Sequence, residues 1–361
     1  MSPTPRPGIL EVAAYVGGES KAPGGKPPVR LASNENPLGA SPAAAAAYEA
    51  AAAELHRYPD GASAELRQAL GALHGLEPER IVCGAGSDEL IGLLARAYAG
   101  PGDEVLHSAH GFLMYGIAAR TSGADVVTAP EANLTADVDA LLARVTPRTR
   151  VVFLANPNNP TGTYLPAAEL ERLHAGLSSE VLLVVDAAYA EYVTEPDYAD
   201  GAALVAAHDN VVMTRTFSKI YGLAALRLGW AYCPPAVADV LNRMRGPFNV
   251  TRTAQVAGLA ALGDQEHVER SRAHNETWRA WLLQELNGLG LETTPSAGNF
   301  LLSQFTDVPG RTAADALAAL KEEGVLLRGM AAYGLPDCLR ITVGTEAENR
   351  AVLDALRRFL G

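Results

Sequence analysis

The chain has 361 residues, 48% of them hydrophobic and 19% charged, a composition that fits a globular protein of one large or two ordinary domains. Its formal net charge of −12 speaks against a nucleic-acid binder, which needs clustered Lys and Arg, but leaves room for a basic pocket around a small phosphorylated molecule. The three cysteines, Cys83, Cys233 and Cys338, form no CxxC or Cys/His cluster, so no disulfide framework or metal site is expected and a reducing, cytoplasmic setting is.

Residues 1–7 carry three prolines and no apolar run, unlike a signal peptide, and no stretch of about 18 apolar residues predicts a membrane span. Residues 18–29 read as a loop, and Ser33-Asn34-Glu35-Asn36-Pro37-Leu38-Gly39 is too polar and turn-rich for a core element. Ser41-Pro42 predicts a helix start, with Ser as cap and Pro in the first helical position; that helix runs to about residue 55, before a turn at Tyr58-Pro59-Asp60-Gly61.

From 80 to 232, apolar runs (80–83, 104–107, 124–128, 150–155, 181–186, 210–216 and 228–232) alternate with helical patterns such as 88–99 and 166–177. That alternation predicts an α/β domain with a mainly parallel, seven-stranded sheet between helices. After 247 the pattern changes: helices at 253–262 and 265–289, then the segment 299–303, a helix at 313–323, strands at 325–328 and 339–343, and a last helix at 346–359. This reads as a smaller α+β C-terminal domain. The predicted organisation is an N-terminal arm (1–44) packing on the small domain (247–361), with the large domain at 45–246.

In parallel sheets, ligands sit at the carboxyl ends of the strands, and four groups of polar residues fall there. Gly84-Ala85-Gly86-Ser87-Asp88-Glu89 follows a strand and opens a helix, which suits either a phosphate cradle or a capped helix; Glu89 in place of a third glycine argues against a nicotinamide site. Asn156-Pro157-Asn158-Asn159-Pro160-Thr161-Gly162 is a rigid turn that either reverses the chain or aims Asn156 into a cleft, and either X-Pro bond could be cis. Asp186 ends an apolar run and either caps a helix or pairs with a buried cation such as a protonated pyridine nitrogen; Tyr189 follows three residues on. Lys219 follows an apolar strand with Thr216 and Ser218 before it and Arg227 after it: an amine for a carbonyl cofactor beside groups that suit a phosphate.

These motifs, in this order and spacing, resemble the pyridoxal-phosphate aminotransferases of fold type I. Ser33–Gly39, Arg57-Tyr58-Pro59-Asp60-Gly61, Gly86-Ser87-Asp88-Glu89, Leu327-Arg328-Gly329-Met330 and Leu339-Arg340-Ile341-Thr342-Val343-Gly344 bring the resemblance closest to the histidinol-phosphate aminotransferase family. It implies pyridoxal 5'-phosphate as cofactor, Lys219 as Schiff-base lysine and proton shuttle, and Asp186 on the pyridine nitrogen. It places Asn156 and Tyr189 on the ring oxygen, Phe112 on the ring face, and Ala85, Gly86, Ser87, Thr216, Ser218 and Arg227 on the phosphate. Tyr58 would reach the phosphate in a neighbouring subunit, so a homodimer with shared active sites is implied. Arg340 and Arg328 would bind the substrate's anionic groups, with Tyr15 and Asn36 also at the substrate. Two departures stand out: His110-Gly111 where the family has Pro and then Ser or Thr, and Ala225 where it has Gly.

The implied reaction is transamination between histidinol phosphate and 2-oxoglutarate. Aromatic amino acids are the alternative substrates, for which Phe112, Tyr115 and Tyr15 are suited. A pyridoxal-phosphate decarboxylase and a non-catalytic cofactor-binding regulator are the other readings. No nucleic acid or membrane partner is expected.

Overall fold

The computed structural model describes residues 3–12, 17–18, 21 and 27–361. Tyr15 lies outside the described residues. In chain order the strands are β1 (Val29–Arg30), β2 (Ile81–Gly84), β3 (Glu104–Ser108), β4 (Asp125–Ala129), β5 (Glu131–Ala132), β6 (Thr135–Ala136), β7 (Thr149–Ala155) and β8 (Leu182–Asp186). They continue as β9 (Val211–Thr216), β10 (Gly229–Tyr232), β11 (Glu292–Thr294), β12 (Phe300–Gln304), β13 (Val325–Leu326), β14 (Arg328–Met330) and β15 (Leu335–Thr342).

Among the described residues, the large sheet has seven strands in the order β2-β10-β9-β8-β7-β3-β4. Only β10 runs antiparallel to its neighbours, so the sheet is mainly parallel, as the alternation predicts. Its central strands are buried on both faces, which is why they read as continuous apolar runs. Along β9, Val211 and Met213 join one core while Val212 joins the other, the two-residue alternation of a strand.

Register brings the functional residues together. Asp186 pairs with Ala155 on one side and Thr214 on the other, so these three ends lie at one level. Gly229 on β10 pairs with both Gly84 and Thr216, so the loop after β2 and the segment after β9 emerge side by side. Phe217, 0% exposed and tilted against the Tyr221 ring at 4.9 Å, anchors the backbone two residues before Lys219.

The small unit carries an antiparallel sheet, β11-β12-β15-β14, over a core including Leu301, Ile341, Leu353 and Leu356. Its boundary differs from the predicted 247. Helix Arg252–Gly263 buries Ala254, Ala257 and Ala261 in the large core, against helix Pro42–Ala51. The change falls within the long helix Gln265–Gly288, which gives Val268 to the large core and Leu282 and Leu286 to the small one. The N-terminal arm also divides. β1 pairs in parallel with β13 of the small unit, but Arg6 donates to the Thr121 carbonyl at 2.7 Å, and Ile9–Glu11 lies against helix Leu113–Ser122 of the large one.

Helix Pro42–Ala51 starts as the sequence predicts, Ser41 accepting from Ala44 N–H at 3.1 Å, and it ends in a short turn at Ala52–Glu54. No helix among the described residues is long and apolar enough to cross a membrane.

Phe217→Ala removes a buried ring from a site that cannot collapse freely. The expected cost is about 3–5 kcal/mol in denaturant unfolding, with looser hold on the lysine segment.

Candidate active site

A cavity of about 250 Å³ opens at the carboxyl edge of the large sheet and is closed on its far side by the small unit and the strap around Ser33–Glu35. Lys219, Asp186, Tyr189, Phe112, Ser87, Thr216, Ser218, Arg227, Arg328 and Arg340 all line it, so residues spread over most of the sequence meet in one place.

Asp186 forms the floor. Its Oδ2 accepts from Tyr115 Oη at 2.8 Å and its Oδ1 from Thr214 Oγ1 at 3.2 Å. Burial pushes its carboxyl up from 3.8 to about 6, against the pull of those two donors. A folded carboxyl that keeps its proton to about pH 6 makes the fold lose stability as pH rises from about 4 to 6. A cation seated on Asp186 removes that loss. Tyr115 is thus a support beneath the acid and fully buried, not a substrate-facing ring.

Lys219 stands opposite, its Nζ donating to the Ser33 carbonyl at 3.4 Å and lying 5.7 Å from the Tyr189 ring centre. Desolvation, then the charge of Arg340, lowers its amine from 10.5 to about 8. An amine that loses its proton near 8 is a nucleophile and base close to neutral pH. Tyr189 Oη accepts from Asn34 Nδ2 at 2.9 Å, which fixes the phenol at the cavity edge.

The anion end is built from hydroxyls, a helix start and one guanidinium. Ser87 opens helix Ser87–Tyr98, where N–H groups face outward. Arg227 donates through Nη1 to Ser218 Oγ at 3.2 Å and through Nη2 to Asp88 at 3.0 Å. Gly86 has φ +85, a backbone conformation that favours glycine, and the Arg227 guanidinium passes close across it, 2.5 Å from where a Cβ would lie. Ala85 does not supply its N–H as expected: that group donates to Glu89 Oε2 at 2.6 Å, which also accepts from Asn249 Nδ2 at 2.7 Å. Glu89, unexplained in the sequence beyond breaking a dinucleotide pattern, holds the loop's shape.

Two expected contacts change. Asn156 is 0% exposed, and its carboxamide is occupied by the Leu165 N–H and the carbonyls of Leu165 and Ala199, so it does not face the cavity. Asn159, three residues later, lines the cavity and accepts from Arg340 Nη1. The turn between them contains two cis bonds, Asn156-Pro157 and Asn159-Pro160. Asn36 is likewise turned away, donating to the Ile220 carbonyl at 2.7 Å and to Ser271 at 3.0 Å; it ties the strap to the backbone beside Lys219. Tyr58 is 82% exposed and stacks on Phe248 at 4.6 Å, outside this subunit's cavity.

On the small unit, Arg328 and Arg340 are cross-strand partners of β14 and β15. Arg340 also donates to the Ala32 carbonyl at 2.8 Å and lies 5.5 Å from the Phe300 ring centre. Two guanidiniums on one wall suit an anionic substrate end.

A buried amine lowered to about 8, a buried carboxyl and a cradle for an anion in one cavity suit carbonyl chemistry on a phosphorylated cofactor with a basic ring nitrogen. The donor set fits pyridoxal phosphate: Asp186 would take the ring nitrogen, Tyr189 the ring oxygen, and Ser87, Ser218 and Arg227 the phosphate. The sequence matches the family described as aminotransferase class I and II over residues 26–356, and the chain belongs to that family. It is 62% identical to the histidinol-phosphate aminotransferase of Rhodospirillum centenum over 99% of both chains, and 58% identical to that of Paramagnetospirillum magneticum over 100% of this chain and 99% of the other. The crystal structure of histidinol-phosphate aminotransferase from Sinorhizobium meliloti in complex with pyridoxal-5'-phosphate matches with a TM-score of 0.90 at 28% identity, covering 99% of this chain and 98% of that one.

With Lys219 lowered to about 8, capture of added pyridoxal phosphate by the cofactor-free protein accelerates as pH rises and levels off above that value; stopped-flow absorbance checks it. The two asparagines separate in mutants. Asn156→Ala is expected to lose about 1–3 kcal/mol of stability, read as a lower Tm. Asn159→Ala is expected to keep its Tm and lose roughly ten- to a hundredfold in kcat/KM, the value of a hydrogen bond to a charged group.

Proposed function

We propose that this protein is a pyridoxal-phosphate-dependent aminotransferase that moves an amino group between histidinol phosphate and 2-oxoglutarate, a step of histidine biosynthesis. The observation that carries the substrate assignment is the Arg328–Arg340 pair on one wall, facing Lys219 across the cavity. Two adjacent guanidiniums match a phosphate dianion or the carboxylates of glutamate, so one wall serves both half-reactions. The 62% identity to a histidinol-phosphate aminotransferase over nearly the whole chain supports the same reading.

Bound here, pyridoxal phosphate supplies the electron sink for the carbanion left when the substrate's Cα loses its proton. The chain supplies the rest. Lys219 Nζ, with its proton lost near 8, takes the Cα proton and returns it on the other side of the exchange. Asp186, braced by Tyr115 and Thr214, would hold the proton on the cofactor's ring nitrogen. Tyr189, oriented by Asn34, would donate to the ring oxygen, and Asn159, bonded to Arg340, would steady that guanidinium at the substrate's anion. Phe112, at the start of helix Leu113–Ser122 and on the cavity wall, would pack on the ring.

A homodimer belongs to the proposal. Tyr58, Phe248 and Leu55 are 82%, 43% and 73% exposed, an apolar surface that a second subunit would cover while Tyr58 enters its cavity. An aromatic amino acid aminotransferase is the second reading, favoured by Phe112 and Tyr333 on the cavity wall. The decarboxylase and regulator readings have no residue of their own in the site.

The test is glutamate formation from 2-oxoglutarate with histidinol phosphate, phenylalanine or tyrosine as donor. Histidinol phosphate is expected to be preferred, with Arg328→Ala losing about ten- to a hundredfold for it and far less for phenylalanine. Equal rates with phenylalanine would establish the second reading. Lys219→Ala is expected to abolish turnover and the visible absorbance of the lysine-bound cofactor; retained wild-type turnover would refute the assignment.

A further inference from the structure

His110, one of the departures in the sequence, sits at the seam between the two units. It follows β3 in the large unit, two residues before Phe112. Its backbone is held on both sides: its N–H donates to Glu131 Oε1 at 3.1 Å, and its carbonyl accepts from Asn158 Nδ2 at 3.3 Å. Glu131 lies on the β5–β6 hairpin, whose Leu134 carbonyl accepts from Thr163 Oγ1 at 2.8 Å. The cofactor-facing turn, the hairpin and His110 therefore form one braced block.

From that block the imidazole crosses to the small unit. Its Nδ1 is 2.7 Å from the Tyr333 carbonyl. A carbonyl only accepts, so Nδ1 carries the proton and donates. Tyr333 ends the short turn Ala331–Tyr333 between β14 and β15, and it lines the substrate cavity with Arg328. Below the contact, Leu113 and Leu134 of the large unit pack against Met330, Tyr333 and Cys338 of the small one. Gly111 packs closely beside it: a Cβ there would lie 3.0 Å from His107 Nδ1 and 3.2 Å from the Ser108 carbonyl, so a small residue suits the close approach next to His110.

We propose that His110 is a positioning residue that clamps the Tyr333 backbone and so fixes the Arg328 wall of the small unit over the cofactor-facing segment at Phe112. It touches neither cofactor nor reacting atoms. It spends one directional hydrogen bond on the distance between the substrate's anion site and the cofactor ring. The link from wall position to substrate affinity rests on the function proposed above; the clamp itself does not.

Two readouts separate those parts. Hydrogen–deuterium exchange of the holoenzyme is expected to show faster exchange over residues 328–338 in His110→Ala than in wild type, with residues 84–98 and 214–220 unchanged. Steady-state kinetics are expected to show KM for histidinol phosphate raised roughly fivefold, the value of one neutral hydrogen bond, at nearly unchanged kcat and unchanged cofactor absorbance. His110→Asn, which keeps a donor at a similar distance from the backbone, is expected to restore both within about twofold. Unchanged exchange over 328–338 in His110→Ala overturns the clamp. So does a parallel fall in kcat and cofactor retention without a KM effect, because that marks a general structural role. If wild type does not turn over histidinol phosphate, the function above fails while the exchange result still decides the clamp.

Discussion

The site depends on two ionisable groups buried in one cavity and given different partners. Asp186 is held by Tyr115 and Thr214, and Lys219 by the Ser33 carbonyl, so neither is satisfied by the other. Burial raises the acid and lowers the amine, which is what desolvation does to each when no counter-charge is supplied. Such an arrangement suits a ligand that is cationic at one end of a ring and electrophilic at another. The parallel sheet places both groups because the ends of β8 and β9 are in register, Asp186 beside Thr214, and the chain continues from β9 directly into Lys219. The apolar interior of the sheet, not the cavity, supplies the stability that permits this: Phe217, Val184 and Val212 are each 0% exposed.

The second dependence is on the small unit. The segments at the edge of the large sheet supply Lys219, Asp186 and Arg227 to the cavity, whereas Arg328 and Arg340 come from β14 and β15, and their placement relies on contacts across the seam. The strap is one tie: Arg340 reaches the Ala32 carbonyl, Asn299 the Asn34 carbonyl, and Thr342 the Asn34 side chain. His110 is another. The active site is therefore a joint between bodies, which explains why polar residues far apart in sequence, such as Asn34 and Thr342, spend their hydrogen bonds on each other.

Much of this was legible in the sequence, for identifiable reasons. Strands buried on both faces leave unbroken apolar runs, so the central strands of the large sheet could be located, and the edge strand β4, only partly buried, was found from its alternation with helical patterns. Lys219, Asp186, Tyr189, Ser87, Ser218 and Arg227 sit at strand ends, where the chain is polar after an apolar run, and their spacing is distinctive. What was not legible is side-chain direction within a turn. In Asn156-Pro157-Asn158-Asn159, three asparagines are equivalent on paper, and only the backbone path shows Asn156 consumed by Leu165 and Ala199 while Asn159 faces the cavity. The same holds for Ala85, whose N–H is taken by Glu89, and for Asn36, taken by Ile220 and Ser271. Helix Arg252–Gly263 packs on the large core although it follows 247 in the chain, because alanine-rich amphipathic patterns do not say which core they face. Tyr115, read as a ring for substrate, is a donor to Asp186.

The central claim is that one amine, Lys219, carries the cofactor. The chain has only four lysines, Lys21, Lys26, Lys219 and Lys321, so the claim can be tested without mutation. The protein is loaded with pyridoxal phosphate, reduced with borohydride and mapped by peptide mass spectrometry. The account predicts one phosphopyridoxyl group per chain, on the peptide containing Lys219. A label on Lys21, Lys26 or Lys321 instead, or no label at all, would contradict it.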